Sequence, residues 1–178
     1  MRHIFSLLFV ASQLATQLAW AATIDGDLYR NARLGLTLTA PPGWLISRQT
    51  GYPEILALMT SKSDRNAQLS VAIDSLDPGK TMDKLVAQNN QAMRALGIQV
   101  KSTGEVERMG RRVWRVVAVA RDRKSPDIAI QQLYINAPAG AVILTLTCPS
   151  GALKRHQTAL DSLFESVELS TPEPPTGR

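Results

Sequence analysis

The residues with the greatest chemical potential are Cys148 and His156, a thiol and an imidazole separated by eight positions. A thiol just before a helix can have its pKa lowered by the helix dipole, and a nearby imidazole can serve as its base. However, Cys148 shares strand phase with Val142, Leu144 and Leu146, which predicts a place in the core. His156 lies on or beside the apolar side of a predicted helix, which favours a packed histidine with one satisfied nitrogen. The pattern therefore favours two buried residues, and a small thiol-dependent hydrolase stays the alternative.

Carboxylates and metal ligands offer little further chemistry. Asp25 and Asp27 fall in an N-terminal segment that we expect to be frayed, and Glu105 and Glu107 lie within one predicted strand. Acid–base work needs two carboxyl groups apposed in a protected cleft, which neither pair indicates. The whole chain has 1 Cys and 2 His, too few for a disulfide framework or a structural zinc site. We expect neither a metal nor a cofactor.

Basic residues are concentrated in one segment, where residues 101–124 contain eight Lys and Arg against three acidic residues. Such a patch can attract an acidic envelope protein or an anionic surface such as lipid or cell-wall polymer. The alternative is a solvated face that discourages strand pairing. Nucleic acid is not expected, because no exposed aromatic residues alternate with the arginines. The predicted basic binding surface consists of Arg108, Arg111, Arg112, Arg115, Arg121, Arg123 and Lys124.

A loop at residues 48–53, with the sequence Arg-Gln-Thr-Gly-Tyr-Pro, is a second candidate contact site. Arg48 and Tyr52 are its basic and aromatic members. Binding residues are found disproportionately on loops that a rigid scaffold positions. We therefore add these two residues to the candidate binding residues.

The first 21 residues have the pattern of a cleavable secretory signal peptide. A basic start at Arg2 and His3 precedes an apolar stretch at 4–11, and the segment ends in Ala-Trp-Ala at 19–21. The apolar stretch is far shorter than the ~20 residues that a spanning helix needs. We expect cleavage after Ala21 and a product without a membrane span. That product would be periplasmic in a cell with two membranes and secreted otherwise.

The remaining chain predicts one α+β domain over residues 22–170. Hairpins dominate and no strand–helix–strand alternation is present, which indicates a mainly antiparallel sheet of six to seven strands covered by two helices. The strand at 69–74 alternates apolar and polar residues and is expected to be half-buried. One helix is expected from the N-cap Thr81, with an apolar stripe that runs from Met82 to Leu96, and the other covers 152–164. The proline-rich tail at 171–178 is expected to be disordered.

Several segments, taken in order, carry a family resemblance. They are Tyr-Arg-Asn at 29–31, Leu-Gly-Leu-Thr-Leu at 34–38, Ala-Pro-Pro-Gly-Trp at 40–44 and Pro-Gly-Lys-Thr at 78–81, which opens the long helix. This order resembles the Mog1/PsbP-like group, including exported bacterial proteins related to DcrB. The resemblance implies an antiparallel sheet sandwiched by helices. It also implies protein binding, since members include a partner of the Ran GTPase, an extrinsic photosystem subunit and chaperones of secretion effectors. No site residue is carried over.

These observations together predict an exported, non-enzymatic accessory or binding protein of the cell envelope that acts through protein contacts. Two alternatives remain at this point. One is an enzyme that uses Cys148 and His156, and the other is a purely structural component of the envelope.

Overall fold

The computed structural model describes residues 22–48, 55–74, 80–122, 125–138 and 140–171, without the side chains of residues 122 and 125. The predicted signal peptide, Tyr52, Arg123, Lys124 and nearly all of the predicted tail lie outside the described residues. The described part contains eleven strands and two α-helices. The strands are β1 (Ala22–Asp25), β2 (Leu28–Asn31), β3 (Leu36–Thr39), β4 (Trp44–Ser47), β5 (Ile55–Ser61), β6 (Gln68–Asp74), β7 (Gln99–Arg108), β8 (Arg111–Asp122), β9 (Ser125–Ala137), β10 (Gly140–Pro149) and β11 (Glu168–Leu169). The helices are α1 (Met82–Ala95) and α2 (Leu153–Glu165), with short 3-10 helices at Ala32–Leu34 and Ser150–Ala152.

A seven-stranded antiparallel sheet forms the body of the fold, in the order β4-β5-β6-β10-β9-β8-β7. The predicted α+β class and the antiparallel sheet with its two helices are confirmed. The long strands β8, β9 and β10 follow one another through tight connections, so each pairs with its neighbour in sequence. The order places β4 and β7 at opposite edges of this main sheet.

A second sheet, in the order β1-β2-β3-β11, was not predicted from the sequence. Residues 22–31 form a hairpin of β1 and β2, in which Asp25 ends β1 and Asp27 lies in the turn, so neither lies in a frayed segment. The apolar side of this sheet is buried, as the fully buried Tyr29 and Leu38 show. Strand β3 begins only at Leu36, because the Asn31 side chain accepts a hydrogen bond from the Leu34 amide and caps a 3-10 turn there.

The central strands of the main sheet are buried on both faces. One face packs against α2 and the second sheet, and the other packs against α1. Strand β6 shows the consequence: Leu69 and Val71 belong to the first core, while Ala72 on the opposite face is 1% exposed in the second. The prediction of a half-buried strand at 69–74 was therefore wrong, because α1 covers the face that the alternation assigned to solvent.

Helix α1 has the predicted start. The Thr81 hydroxyl accepts a hydrogen bond from the Lys84 amide, which satisfies one of the free donors of the first turn. Val86 and Met93 lie in the second core, as the apolar stripe predicted. Leu96 does not, because the helix ends at Ala95 and the Leu96 side chain is 40% exposed.

Helix α2 lies over β10, between the β4–β5 side of the main sheet and its β7–β8 side. Leu160, Leu163 and Phe164 point into the first core and are almost fully buried. The two flanks of α2 consequently face different strands. The polar residues of both candidate sites lie on these two flanks.

The closure of the second sheet leads to a prediction at Gly35. This residue has φ +60°, its carbonyl oxygen accepts from the Ser170 amide at 2.7 Å, and an added Cβ would overlap the Ser170 carbonyl. Gly26 has a similar φ of +58° with open space around it, so it serves as the matched control. We expect Gly26→Ala to lose about 1–2 kcal/mol of unfolding free energy. Gly35→Ala should lose a further ~1–3 kcal/mol in urea unfolding because of the overlap. Equal losses would show that β11 does not constrain this turn.

Candidate functional site

The predicted basic surface is divided between the two faces of strand β8. Residues alternate across a strand, and β7 pairs with β8 so that Arg108 lies opposite Arg111 and Gly104 opposite Arg115. Arg108, Arg111 and Arg115 therefore share the face that carries α2, and we call these three residues the arginine cluster. Arg112 lies on the other face, and Arg121 lies at the far end of the strand.

The remaining described members are exposed and form weak surface pairs. Arg112 is 3.8 Å from Glu105 and its side chain is 81% exposed, while Arg121 is 3.5 Å from Asp127. Exposed pairs of this kind typically contribute about 0–1 kcal/mol. Arg48 is also exposed, but it follows β4 at the edge of the main sheet opposite β7. The structure therefore does not bring Arg48 and the arginine cluster into one surface.

Two members of the arginine cluster hold α2 in place. Arg108 forms an ion pair with Asp161, which also accepts from Gln157 at 2.9 Å. Arg111 donates to the Val167 carbonyl oxygen at 3.0 Å, and its guanidinium carbon lies 5.9 Å from the centroid of the Phe164 ring. A cation at this end of a helix is favourable, because the helix dipole is negative there.

Arg115 is different, because none of the described residues forms an ion pair with it. Its Nε is buried without a hydrogen-bond partner, as is the Nε of Arg108. Burial, and then the charge of Arg115, lower the pKa of Arg108 from its ordinary value. Asp161 is the one carboxylate within the described part that pairs with this cluster. The cluster therefore keeps an excess of positive charge.

Gln131 lies on the same face, one diagonal step from Arg115. Gln131 pairs with Val117 on β8, while Arg115 pairs with Leu133, two positions further along β9. Gln131 is fully buried, and neither atom of its amide has a hydrogen-bond partner among the described residues. Burying such a group costs about 1–3 kcal/mol. Because the buried Gln131 amide carries this cost next to an arginine without an ion pair, we infer that this region is not optimised for stability alone.

The opposite flank of α2 carries a partly exposed hydrogen-bond system centred on Asp64, in the turn between β5 and β6. Its Oδ2 accepts from His156 Nε2 at 3.0 Å and from Arg155 Nη2 at 3.2 Å. Its Oδ1 accepts from the Asn66 amide at 3.1 Å. The hydrogen bond from His156 is the main cause that lowers the pKa of Asp64 below its ordinary value of 3.8. Trp44 packs edge-on against the His156 ring at 5.7 Å.

An open cleft of about 400 Å³ lies beside this system, and we call it the histidine cleft. It is lined by the connection between β3 and β4, by the β5–β6 turn and by α2, with His156 and Trp44 in its wall. The sequence identified His156 as a packed histidine with one satisfied nitrogen, and this is confirmed. Asp64 was missed, because it is 92 positions from His156 and looked like one residue of a polar turn.

Cys148 is fully buried in the first core, as its strand phase predicted. Burial, reinforced by the charge of Asp64, raises the pKa of this thiol to about 11. Thiol chemistry requires the thiolate, which such a pKa makes scarce at neutral pH. His156 directs its Nε2 to Asp64, so that nitrogen is engaged. The geometry does not support a Cys148–His156 nucleophile.

Within the described residues, no three side chains among His, Cys, Asp and Glu converge closely enough to hold a metal ion. The helices in this part of the chain are all too short or too polar to cross a membrane.

Comparison with known proteins identifies the fold. The sequence matches no protein-family profile and no curated protein. The structure is similar to the solution structure of cyanobacterial PsbP (CyanoP) from Synechocystis sp. PCC 6803, with a TM-score of 0.60 and 14% identity over 83% of this chain and 95% of that one. It is also similar to PA94, a Pseudomonas aeruginosa protein of unknown function, with a TM-score of 0.52 and 16% identity over 85% and 99% of the two chains. The chain therefore has the Mog1/PsbP-like fold that the segment order predicted.

A third similar structure, from Bacteroides thetaiotaomicron, has a TM-score of 0.58 and 10% identity, and this chain spans half of its length. These identities establish the fold alone, so the function must be argued from the residues of this chain.

The Asp64 hydrogen bonds lead to a prediction about acid stability. Because the folded-state pKa of Asp64 is lowered, its contribution is present above the unfolded carboxyl pKa and is lost as pH falls through the folded value. We expect Asp64→Asn to lower the unfolding free energy by about 1–2 kcal/mol at pH 7. The difference from wild type should shrink below pH ~4. Asp25→Asn, which changes an exposed carboxylate, is the control and should follow wild type at every pH. A pH-independent loss in Asp64→Asn would contradict the ionic role.

The burial of Cys148 leads to a second prediction, for a thiol-reactive dye such as DTNB at pH 8. Native protein should react at least about a hundredfold more slowly than protein unfolded in guanidinium, because the thiol is inaccessible and mostly protonated. A Cys148→Ala, Ser102→Cys double variant, with its thiol on the exposed part of β7, should react quickly while folded. Rapid stoichiometric labelling of the native wild type would contradict this burial and favour the alternative of a thiol enzyme.

Proposed function

We propose that this protein is an exported, non-enzymatic accessory protein of the cell envelope that binds an acidic protein partner through the arginine cluster. The observation that carries the proposal is Arg115. It is a guanidinium with no ion pair among the described residues, placed beside two further arginines and the unpartnered amide of Gln131. A partner carboxylate would accept charge-assisted hydrogen bonds from the Arg115 guanidinium.

The position of the cluster also supports binding. It lies next to β7, the edge strand of the main sheet, whose ten residues are mostly exposed. Gly104, opposite Arg115, leaves open space where a side chain would stand, so a partner can approach Arg115 there. Arg108 and Arg111 are already held by α2, which means that the positive charge is fixed before a partner arrives. Fixed complementary charge increases association rates and specificity.

Export is supported by the sequence pattern of residues 1–21, with its basic start, short apolar stretch and Ala-Trp-Ala end. The cellular location follows as part of the same proposal, in the periplasm where two membranes exist. A purely structural envelope role is the competing proposal, since it needs no discrete partner. The surroundings of Arg115 favour a specific contact over a diffuse positive charge on the surface.

The test is affinity capture from envelope extract with the exported protein, with Arg115→Glu and Arg112→Glu compared side by side. Arg112 lies on the opposite face of the same strand, so both variants change the net charge equally. We expect Arg115→Glu to reduce recovery of the specific partner about tenfold or more, and Arg112→Glu to change it little. Recovery by wild type should fall as salt rises. If Arg115→Glu retains every partner, or if both variants lose them equally, the arginine cluster is not the binding site.

A further inference from the structure

We propose that the histidine cleft is a binding site for a small organic anion, one that carries its negative charge on an apolar body. This inference goes beyond the proposed protein contact, because it concerns the other flank of α2 and a ligand of a different size. The histidine cleft has a volume of about 400 Å³, which falls in the range of small-molecule sites.

The charge of the lining argues for an anion. Lys62 and Arg155 line the cleft, and no aspartate or glutamate does. Lys62 forms no ion pair within the described part of the chain, and Arg155 gives one of its donors to Asp64 and retains others. Asp64 does not offset them fully, because it is one carboxylate beside two cations and it pairs with Arg155 alone of the two. An entering anion would therefore meet free cationic donors.

The rest of the lining argues for an apolar body. Pro41, Pro42, Trp44 and Ala159 contribute hydrocarbon surface to the walls. Hydroxyl groups are present at a few points only, on Ser61, Ser63, Thr158 and Ser162. Pockets that combine apolar walls with a few placed polar groups are typical of small organic ligands. Inorganic phosphate or acetate alone would leave most of this surface uncovered.

The cleft is also held in shape before any ligand binds. The Lys62 amide donates to the Gly43 carbonyl oxygen at 2.9 Å, which joins the β5–β6 turn to the entry of β4. The Asp64–His156 hydrogen bond joins the same turn to α2, and Trp44 packs against the His156 ring. All three walls are thus connected by direct contacts. Preformed walls reduce the ordering cost that a ligand must overcome.

The test uses three probes of graded chemistry on isotope-labelled exported protein, followed by NMR titration. Benzoate has a charge and an apolar ring, benzamide has the ring without the charge, and acetate has the charge without the ring. We expect benzoate to bind with a Kd of about 1 mM or tighter. It should perturb the signals of His156, Ala159 and the Trp44 indole. Benzamide and acetate should each bind at least about fivefold more weakly.

Three variants assign the contribution of charge. Lys62→Met and Arg155→Met should each weaken benzoate binding about three- to tenfold. Lys154→Met changes an exposed cation next to Arg155 that does not line the cleft, so binding should not change. A perturbation map centred on the arginine cluster would overturn the proposal. Equal binding of benzoate and benzamide, or no binding by benzoate up to its solubility limit, would do the same.

Discussion

The packing of α2 on the main sheet is the interaction on which the rest of the structure depends. Leu160, Leu163 and Phe164 are buried at the centre of the first core, and the second sheet packs against that same core. Fully burying side chains of this size contributes about 1.5–3 kcal/mol each. The ion pairs at the two flanks are partly exposed, so their energetic contribution is smaller. Apolar burial therefore holds the helix down, and the polar contacts determine how it lies.

Each flank is oriented by one carboxylate. Asp64, from a turn of the main sheet, accepts hydrogen bonds from His156 and Arg155 on the helix. On the other flank the roles are reversed, because the helix supplies Asp161 and the sheet supplies Arg108. The two pairs fix the rotation of α2 about its own axis. That rotation determines which helix residues line the histidine cleft and which face the arginine cluster.

The sequence predicted those parts of the fold that depend on local pattern. The N-cap Thr81, the long antiparallel strands and the core position of Cys148 follow from residue spacing within one element. It did not predict the second sheet, because β1 and β2 are only four residues each. Their apolar side packs on a core that residues near the C-terminus complete, so the short segments alone do not show which side is buried. The double burial of β6 was missed for a related reason, since α1 covers its second face from a separate part of the chain.

The site was predicted less well than the fold, and the basic segment shows why. Counting arginines in a 24-residue stretch treats them as equivalent, yet strand alternation places Arg112 on one face and Arg115 on the other. Arg108 and Arg111 contribute to holding α2, which a charge count cannot reveal. Only the absence of a partner distinguishes a binding arginine from a structural one. The partners here are distant along the chain, since Asp161 is 53 positions from Arg108 and Val167 is 56 positions from Arg111. Arg115, which has no ion pair among the described residues, is therefore the arginine of this segment that supports a binding role.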